Sequence, residues 1–385
     1  MRRYASILIV ALISQCPAIA EFPQLRRGQR DCPPLPCRPD STAAPGTMEP
    51  STPSDSTAQP PSSAFSEALA SAGESGTQPG ASFAPGFFGD FLGDCVQTNT
   101  VVLGAANMLG SFCPRTVCLP SPNAAAGIKP GENESPRPID RFFYHYTFYG
   151  NVDVRTPQAP DAPPLQLHRQ LLGFEKTFLG GDASIGLRLP FLSYGGDIGY
   201  ESRVVADMTI VTKYAFINNR ETQNVGSGGL LITVPSGGTA TFFNGLTGLR
   251  DQVQERFFAV FLSPWAGYVY NLSDRLYLHG FHSISIPTDS RETFFISNDV
   301  AVGYWLRRDA TDLIVQSIVP TFEVHVNTPL NNRGPDPMRA ELSDTLTLTC
   351  GCYFLLQRAV LGGAVGIPVI GESRIEALAT YSLRF

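Results

Sequence analysis

The last residues of the chain alternate in character with a strict period. Ile375, Ala377, Ala379, Tyr381, Leu383 and Phe385 share one parity, while Arg374, Glu376, Thr380, Ser382 and Arg384 share the other, with Leu378 the one exception. In an extended strand successive side chains point to opposite faces, so a period of two gives this segment one apolar and one polar face. A helix would scatter the same residues around its axis and present neither. The segment therefore belongs to a sheet, and the sheet must cover its apolar face with something other than water.

The same period recurs upstream. Strand-like runs separated by turn residues are expected near 141–152, 165–178, 183–191, 207–216, 229–234, 257–270, 276–286, 299–307, 313–327, 345–356, 359–367 and 374–385. Ala183, Ile185, Leu187, Leu189 and Phe191 oppose Ser184, Gly186 and Arg188, and Phe322, Val324 and Val326 oppose Thr321, Glu323, His325 and Asn327. Leu346, Leu348, Cys350, Cys352, Phe354 and Leu356 likewise oppose Thr345, Thr347, Thr349 and Gly351. About twelve strands is an even number, which lets an up-and-down barrel keep both ends on one side. Short turns at 180–182, 271–275, 308–312 and 357–358 alternate with longer connections at 153–164, 192–206, 235–256, 287–298 and 328–344. The segments 218–228, long for a turn, and 368–372, short for a loop, fit that alternation poorly.

Periodicity alone admits a soluble sandwich as well as a membrane barrel. No segment reaches the roughly eighteen consecutive apolar residues of a helical span. At the N-terminus, Arg2 and Arg3 precede an apolar run from Ile7 to Ile13 and the small-residue stretch Ala18-Ile19-Ala20, the pattern of a secretory signal cleaved after Ala20. That run is too short to serve as an anchor, and Gln15 before Cys16 argues against a lipoprotein. Residues 21–82 are rich in Pro, Ser, Thr, Ala and Gly and cannot bury enough surface to offset their conformational entropy, so a disordered leader is expected. Residues 83–138 read as a partly ordered linker or plug, and 139–385 as the barrel. The pI near 5.4 argues against a nucleic-acid partner. Cys32/Cys37 and Cys113/Cys118 share one spacing suited to local disulfides, with a zinc site as the alternative despite no nearby histidine. Cys350 and Cys352 read as small wall residues, being two apart on one strand.

The terminal Tyr381, Leu383 and Phe385 resemble the assembly signal with which outer-membrane barrels end, which implies the barrel-assembly machinery and outer-membrane lipid as partners. The stretch Gly173-Phe174-Glu175-Lys176-Thr177-Phe178-Leu179-Gly180-Gly181-Asp182-Ala183-Ser184, continuing through Leu187-Arg188-Leu189-Pro190-Phe191, resembles a family of outer-membrane β-barrels known mainly from planctomycetes. The stretch from Pro320 through Leu330, followed by Asn331-Asn332-Arg333-Gly334, adds to the likeness. A more distant similarity is to outer-membrane proteins linked to meta-cleavage phenol degradation, regarded as transporters. The resemblance covers about 141–385 and implies an all-β, transmembrane, antiparallel up-and-down barrel in a Gram-negative outer membrane. It carries no catalytic or solute-binding residue.

Glu323, His325 and Asn327, at spacing two, are expected to project into the lumen, either as a polar constriction for passing solutes or as a network that stiffens the barrel. Glu175, Arg188, Lys213, Arg374, Glu376 and Arg384 are expected to join them, because charges facing lipid at mid-depth cost several kcal/mol. His279, His282 and Ser283 invite comparison with a barrel lipase, but His282 and Ser283 fall on opposite faces and lack an evident acid partner. His282 shares parity with Leu276, Leu278, Ile284 and Ile286, which requires either a bulge or a place near the membrane interface. The glycine-rich stretches 226–229 and 236–238 read as hairpin elements, since neither opens a helix after a buried strand. The aromatic cluster 142–146, with Trp265, Tyr268 and Tyr270, reads as an interface girdle. The function expected is a narrow channel or transporter for a small solute, with no cofactor or metal and no enzymatic activity. A structural or adhesion barrel is the alternative.

Overall fold

The computed structural model describes residues 83–90, 95–97, 118–120, 129–152, 165–195, 200–238, 241–244, 250–252, 259–290, 292–310, 313–331, 344–370 and 375–385. The expected signal and leader, Cys32, Cys37, Cys113 and Arg374 lie outside the described residues, and Cys95 and Cys118 are described in backbone only.

Twelve strands form the wall: β1 (Arg141–Val152), β2 (Leu165–Phe178), β3 (Ala183–Gly195), β4 (Met208–Asn218), β5 (Val225–Val234), β6 (Phe261–Asn271), β7 (Leu276–Pro287), β8 (Phe295–Tyr304), β9 (Ser317–Pro329), β10 (Thr345–Leu355), β11 (Ala359–Ile370) and β12 (Ile375–Arg384). Each pairs antiparallel with the next. The sheet then closes on itself, with β12 against β1 so that Arg384 faces Arg141 and Ile375 faces Gly150. Closure leaves no wall strand with an unpaired edge, which is what a sheet in hydrocarbon requires. Among the described residues no helix is long and apolar enough to cross a membrane.

The faces are arranged inside out. On β12, Ile375 is 60% exposed and Leu383 39%, whereas Glu376 is 0% exposed and Thr380 and Ser382 are buried. On β9, Glu323 and His325 are fully buried, while Phe322 and Val324 look outward. Apolar residues outside and polar residues inside is the arrangement of a transmembrane barrel and the reverse of a sandwich. Leu378, out of pattern in the sequence, is buried on the inner face in an apolar cluster with Ala364, Tyr353 and Phe88.

Several connections differ from the expected ones. Residues 218–228 shorten to a turn at 219–224, because β4 runs on to Asn218 and β5 begins at Val225. The expected turn at 308–312 becomes the whole connection 305–316, since Trp305 leaves the ladder to bury itself against Tyr277. The loops after β3 and β5 contain further strands, Tyr200–Val205, Thr241–Asn244 and Arg250–Gln252, which extend the sheet from β3 beyond the wall. Between β2 and β3 the chain reverses in a 3-10 turn where Gly180 (φ 66°) and Gly181 (φ 88°) take the left-handed backbone that glycine tolerates.

The expected girdle also needs correction. Phe143 and His145 are each 1% exposed and point inward, so the cluster splits by parity and leaves Phe142, Tyr144 and Tyr146 outside. Trp265 also turns inward, tilted against Phe281 at 5.3 Å between ring centroids, whereas Tyr270 is exposed on the outer face.

Candidate functional site

The inner wall does not meet itself across the barrel. Two stretches of the chain's own N-terminal part, 83–90 and 129–140, lie between its sides, and Phe87 N donates to Glu134 O at 2.9 Å to join them. Phe87, Phe88, Asp90, Lys129, Glu132, Asn133 and Glu134 are all buried.

One side of the lumen is basic. Arg141 on β1, Arg169 on β2, Arg188 on β3 and Lys213 on β4 all point inward, from four adjacent strands. Glu134 takes three of them: its Oε1 accepts from Arg141 Nη2 at 2.6 Å and Lys213 Nζ at 2.7 Å, and its Oε2 from Arg188 Nη2. Glu132 takes the fourth, accepting from Arg169 Nη1 at 2.5 Å and Nη2 at 2.9 Å in a two-pronged contact. Glu175 is the wall's own acid here, holding Arg141 Nε at 2.9 Å, Lys213 Nζ at 2.8 Å and Ser184 Oγ at 2.7 Å. Burial pushes the Glu134 carboxyl up, but Arg141, Lys213 and Arg188 together hold it well below the usual carboxylate range. Arg137, also on the inserted stretch, is lowered to about 10 by burial and by Arg220.

The other side is acidic and aromatic. Lys129 donates to Asp299 on β8 at 2.7 Å and pairs with Asp90. His325 on β9 lies 2.8 Å from Asp299 through Nδ1 and 3.1 Å from Glu323 through Nε2, so each ring nitrogen faces a carboxylate. Asp90, Asp299 and His325 converge closely enough to suggest metal ligands, but the Lys129 ammonium stands among them and supplies the positive charge. Glu323 accepts from the backbone N–H groups of Phe88 (2.9 Å) and Gly89 (3.1 Å), and Asn327 Nδ2 donates to Asp90 at 2.9 Å. The Phe88 ring stacks on Tyr353 at 4.1 Å, and Phe87 sits 4.3 Å from the His279 ring. Gly351 makes room for Phe88: a Cβ there would come within 2.3 Å of the ring.

Near the end of the barrel where β1 starts, Asp140 receives Thr177 N at 2.6 Å and Lys176 Nζ at 2.9 Å. A cavity of about 10 Å³ remains beside Glu134, Glu175 and Arg188, room for about one water.

The structure thus brings Glu175, Arg188, Lys213, Glu323, His325 and Asn327 inward against the inserted stretches, and buries Glu376 on the same inner face. Tyr381, Leu383 and Phe385 lie on the outer face, with Phe385 stacked on Phe174 at 5.9 Å. His282 faces outward, bonded to Asn298 Oδ1 at 2.8 Å with no break in the register of β7 on β8, while Ser283 faces inward. The two do not form a dyad. Cys350 and Cys352 lie on the outer face of β10. Sequence reasoning missed the inserted partners Asp90, Lys129, Glu132 and Glu134 and the wall residues Arg141, Arg169 and Asp299. One signal was present: β1 to β4 carry four inward cations and one inward acid, so acids from elsewhere had to balance them.

No family model matches the chain, and no curated protein matches it. Among solved structures it is similar to an outer-membrane channel from Pseudomonas putida F1, at 14% identity and TM-score 0.45 over 67% of this chain and 100% of that one. It is also similar to the β domain of the Bordetella autotransporter BrkA, at 10% identity and TM-score 0.42 over 64% of this chain and 100% of that one. A third is the KdgM porin, at 10% identity and TM-score 0.35 over 64% of this chain and 99% of that one. The class defined by the coordinates themselves is a closed, twelve-stranded antiparallel barrel with an apolar exterior.

Proposed function

We propose that the protein is an outer-membrane channel for small solutes, closed in the described state by its own inserted stretches. The observation that carries this reading is what fills the lumen. A wall meant only to be rigid can fill a barrel of this size with its own side chains. Here two segments from outside the wall, 83–90 and 129–140, lie buried between its sides. Both segments belong to a part of the chain outside the wall and are held by side-chain contacts, with the Phe87–Glu134 backbone bond running between the segments themselves. Withdrawing them would open a passage lined by the wall's buried polar groups together with aromatics such as Phe143, Trp265 and Phe281.

The apolar exterior supports an outer-membrane location, with which the signal-like pattern of Arg2 to Ala20 agrees. Tyr381, Leu383 and Phe385 would be read by the barrel-assembly machinery, being displayed outward on the closing strand. With His282 and Ser283 on opposite faces, a lipase mechanism has no support, and no catalytic role is proposed.

Planar-bilayer recording of the full chain tests the reading. Wild type should stay mostly closed, and Phe88→Ala should raise the open fraction. The absence of conductance in both, together with no solute uptake into proteoliposomes, would favour the second reading, a structural barrel. The dense internal ion pairing is the observation on that side.

A further inference from the structure

We infer that the basic arc formed by Arg141, Arg169, Arg188 and Lys213 is a binding site for an anionic solute carrying two or more carboxylates, and that Glu132 and Glu134 occupy it as internal substitutes. This rests on the channel reading and adds the chemical class of the solute. Four cations from four adjacent strands converge inward, with side chains 7%, 4%, 1% and 1% exposed in the order named. Within the described residues of β1 to β4 the one inward acid is Glu175, leaving these strands a surplus of three positive charges that the inserted stretch reduces with Glu132 and Glu134. Once the inserted stretch leaves, the arc faces the opened passage with its surplus of positive charge uncompensated, and so attracts an anion.

The geometry also specifies the anion. Arg169 offers a planar fork to one carboxylate, and Arg141, Arg188 and Lys213 surround a second. These carboxylates sit two residues apart on either side of the bend at Asn133 (φ 45°), so the arc is arranged for a pair of acids within one small molecule rather than for a lone halide. The opposite side of the lumen presents Asp299 and Glu323, which would repel the same solute and keep it on the basic wall. Solute and inserted stretch then compete for one set of cations, and binding of the one releases the other.

Calorimetric titration of citrate into the full-length protein in detergent tests this without requiring conduction. The Glu132→Gln/Glu134→Gln protein, which keeps the cations and Glu175 but loses the two inserted carboxylates, should bind citrate at least about tenfold more tightly than wild type, the gain expected from one added charge-assisted contact. Adding Arg188→Gln should abolish that gain, and spermidine should show none. The inference is overturned if the folded double variant binds citrate no better than wild type, if the gain survives Arg188→Gln, or if spermidine gains equally. Should the double variant not fold, Glu132→Gln alone, compared with Glu132→Gln/Arg169→Gln, makes the same comparison while Glu134 keeps its three cations. Loss of conductance with citrate binding intact would remove the channel reading and leave the site. Conductance without citrate binding would do the opposite.

Discussion

The two sides of the lumen hold the inserted stretches by different physics. Against β1 to β4 the contact is ionic, Glu132 and Glu134 meeting four buried cations. Against β7 to β11 one ionic contact, Lys129 with Asp299, is joined by shape and backbone, with Phe88 stacked on Tyr353 over Gly351, Phe87 beside His279, and Glu323 accepting two main-chain N–H groups. The ionic side responds to whatever competes for charge, whereas the aromatic side responds to volume. A closed channel that must open to a charged solute needs the first, and one that must reseat in a single register needs the second.

Substitutions separate the two. Glu134→Gln leaves Arg188 buried without its carboxylate and weakens the hold on Arg141 and Lys213, and should cost about 3–5 kcal/mol. Urea unfolding of the reconstituted protein, alongside open probability in bilayers, measures both consequences. Phe88→Ala removes a fully buried ring and should cost about 3 kcal/mol in the same assay, with an effect independent of added citrate. Gly351→Ala pushes a methyl into that ring and should cost about 1–3 kcal/mol, less in combination with Phe88→Ala than alone, which a double-mutant cycle would show. Lys176→Ala at the partly exposed pair with Asp140 should cost under about 1 kcal/mol, and 1 M salt should erase the difference.

Acid gives a further separation. Because the folded-state Glu134 carboxyl is held below its ordinary 4.5, its contribution is complete above that value and is lost only as pH falls through the depressed folded value. Open probability should therefore be the same at pH 7 and pH 5, and a rise between them would place the controlling group elsewhere.

The difference between wall and lumen also explains what the sequence disclosed. The ends of β1 and β2 were legible to the residue, because alternation and turn residues are local signals. The inward placement of Glu175, Arg188, Glu323 and His325 followed from parity alone. Phe143, His145 and Trp265 were misplaced because they were grouped by composition, whereas the period of two assigns each residue its face separately. Trp305 and Leu306 continued an apolar run and so concealed the end of β8 at Tyr304. The ion pairs were not legible because Glu132 and Arg169, or Asp90 and Asn327, meet across the fold with no sequence pattern linking them. Residues 129–138, rich in proline and charge, carry no period that distinguishes a solvated linker from one inserted in a barrel.

The occupied lumen can be tested by a covalent link between inserted stretch and wall. A Cβ built on Gly131 lies 3.4 Å from Asp299 Cβ, close to the separation of about 3.8 Å found in disulfides. Peptide mapping of the membrane-embedded Gly131→Cys/Asp299→Cys protein should find the 131–299 disulfide under mild oxidation. A barrel that remains folded, by its heat-modifiable migration, yet shows no such link would contradict the account.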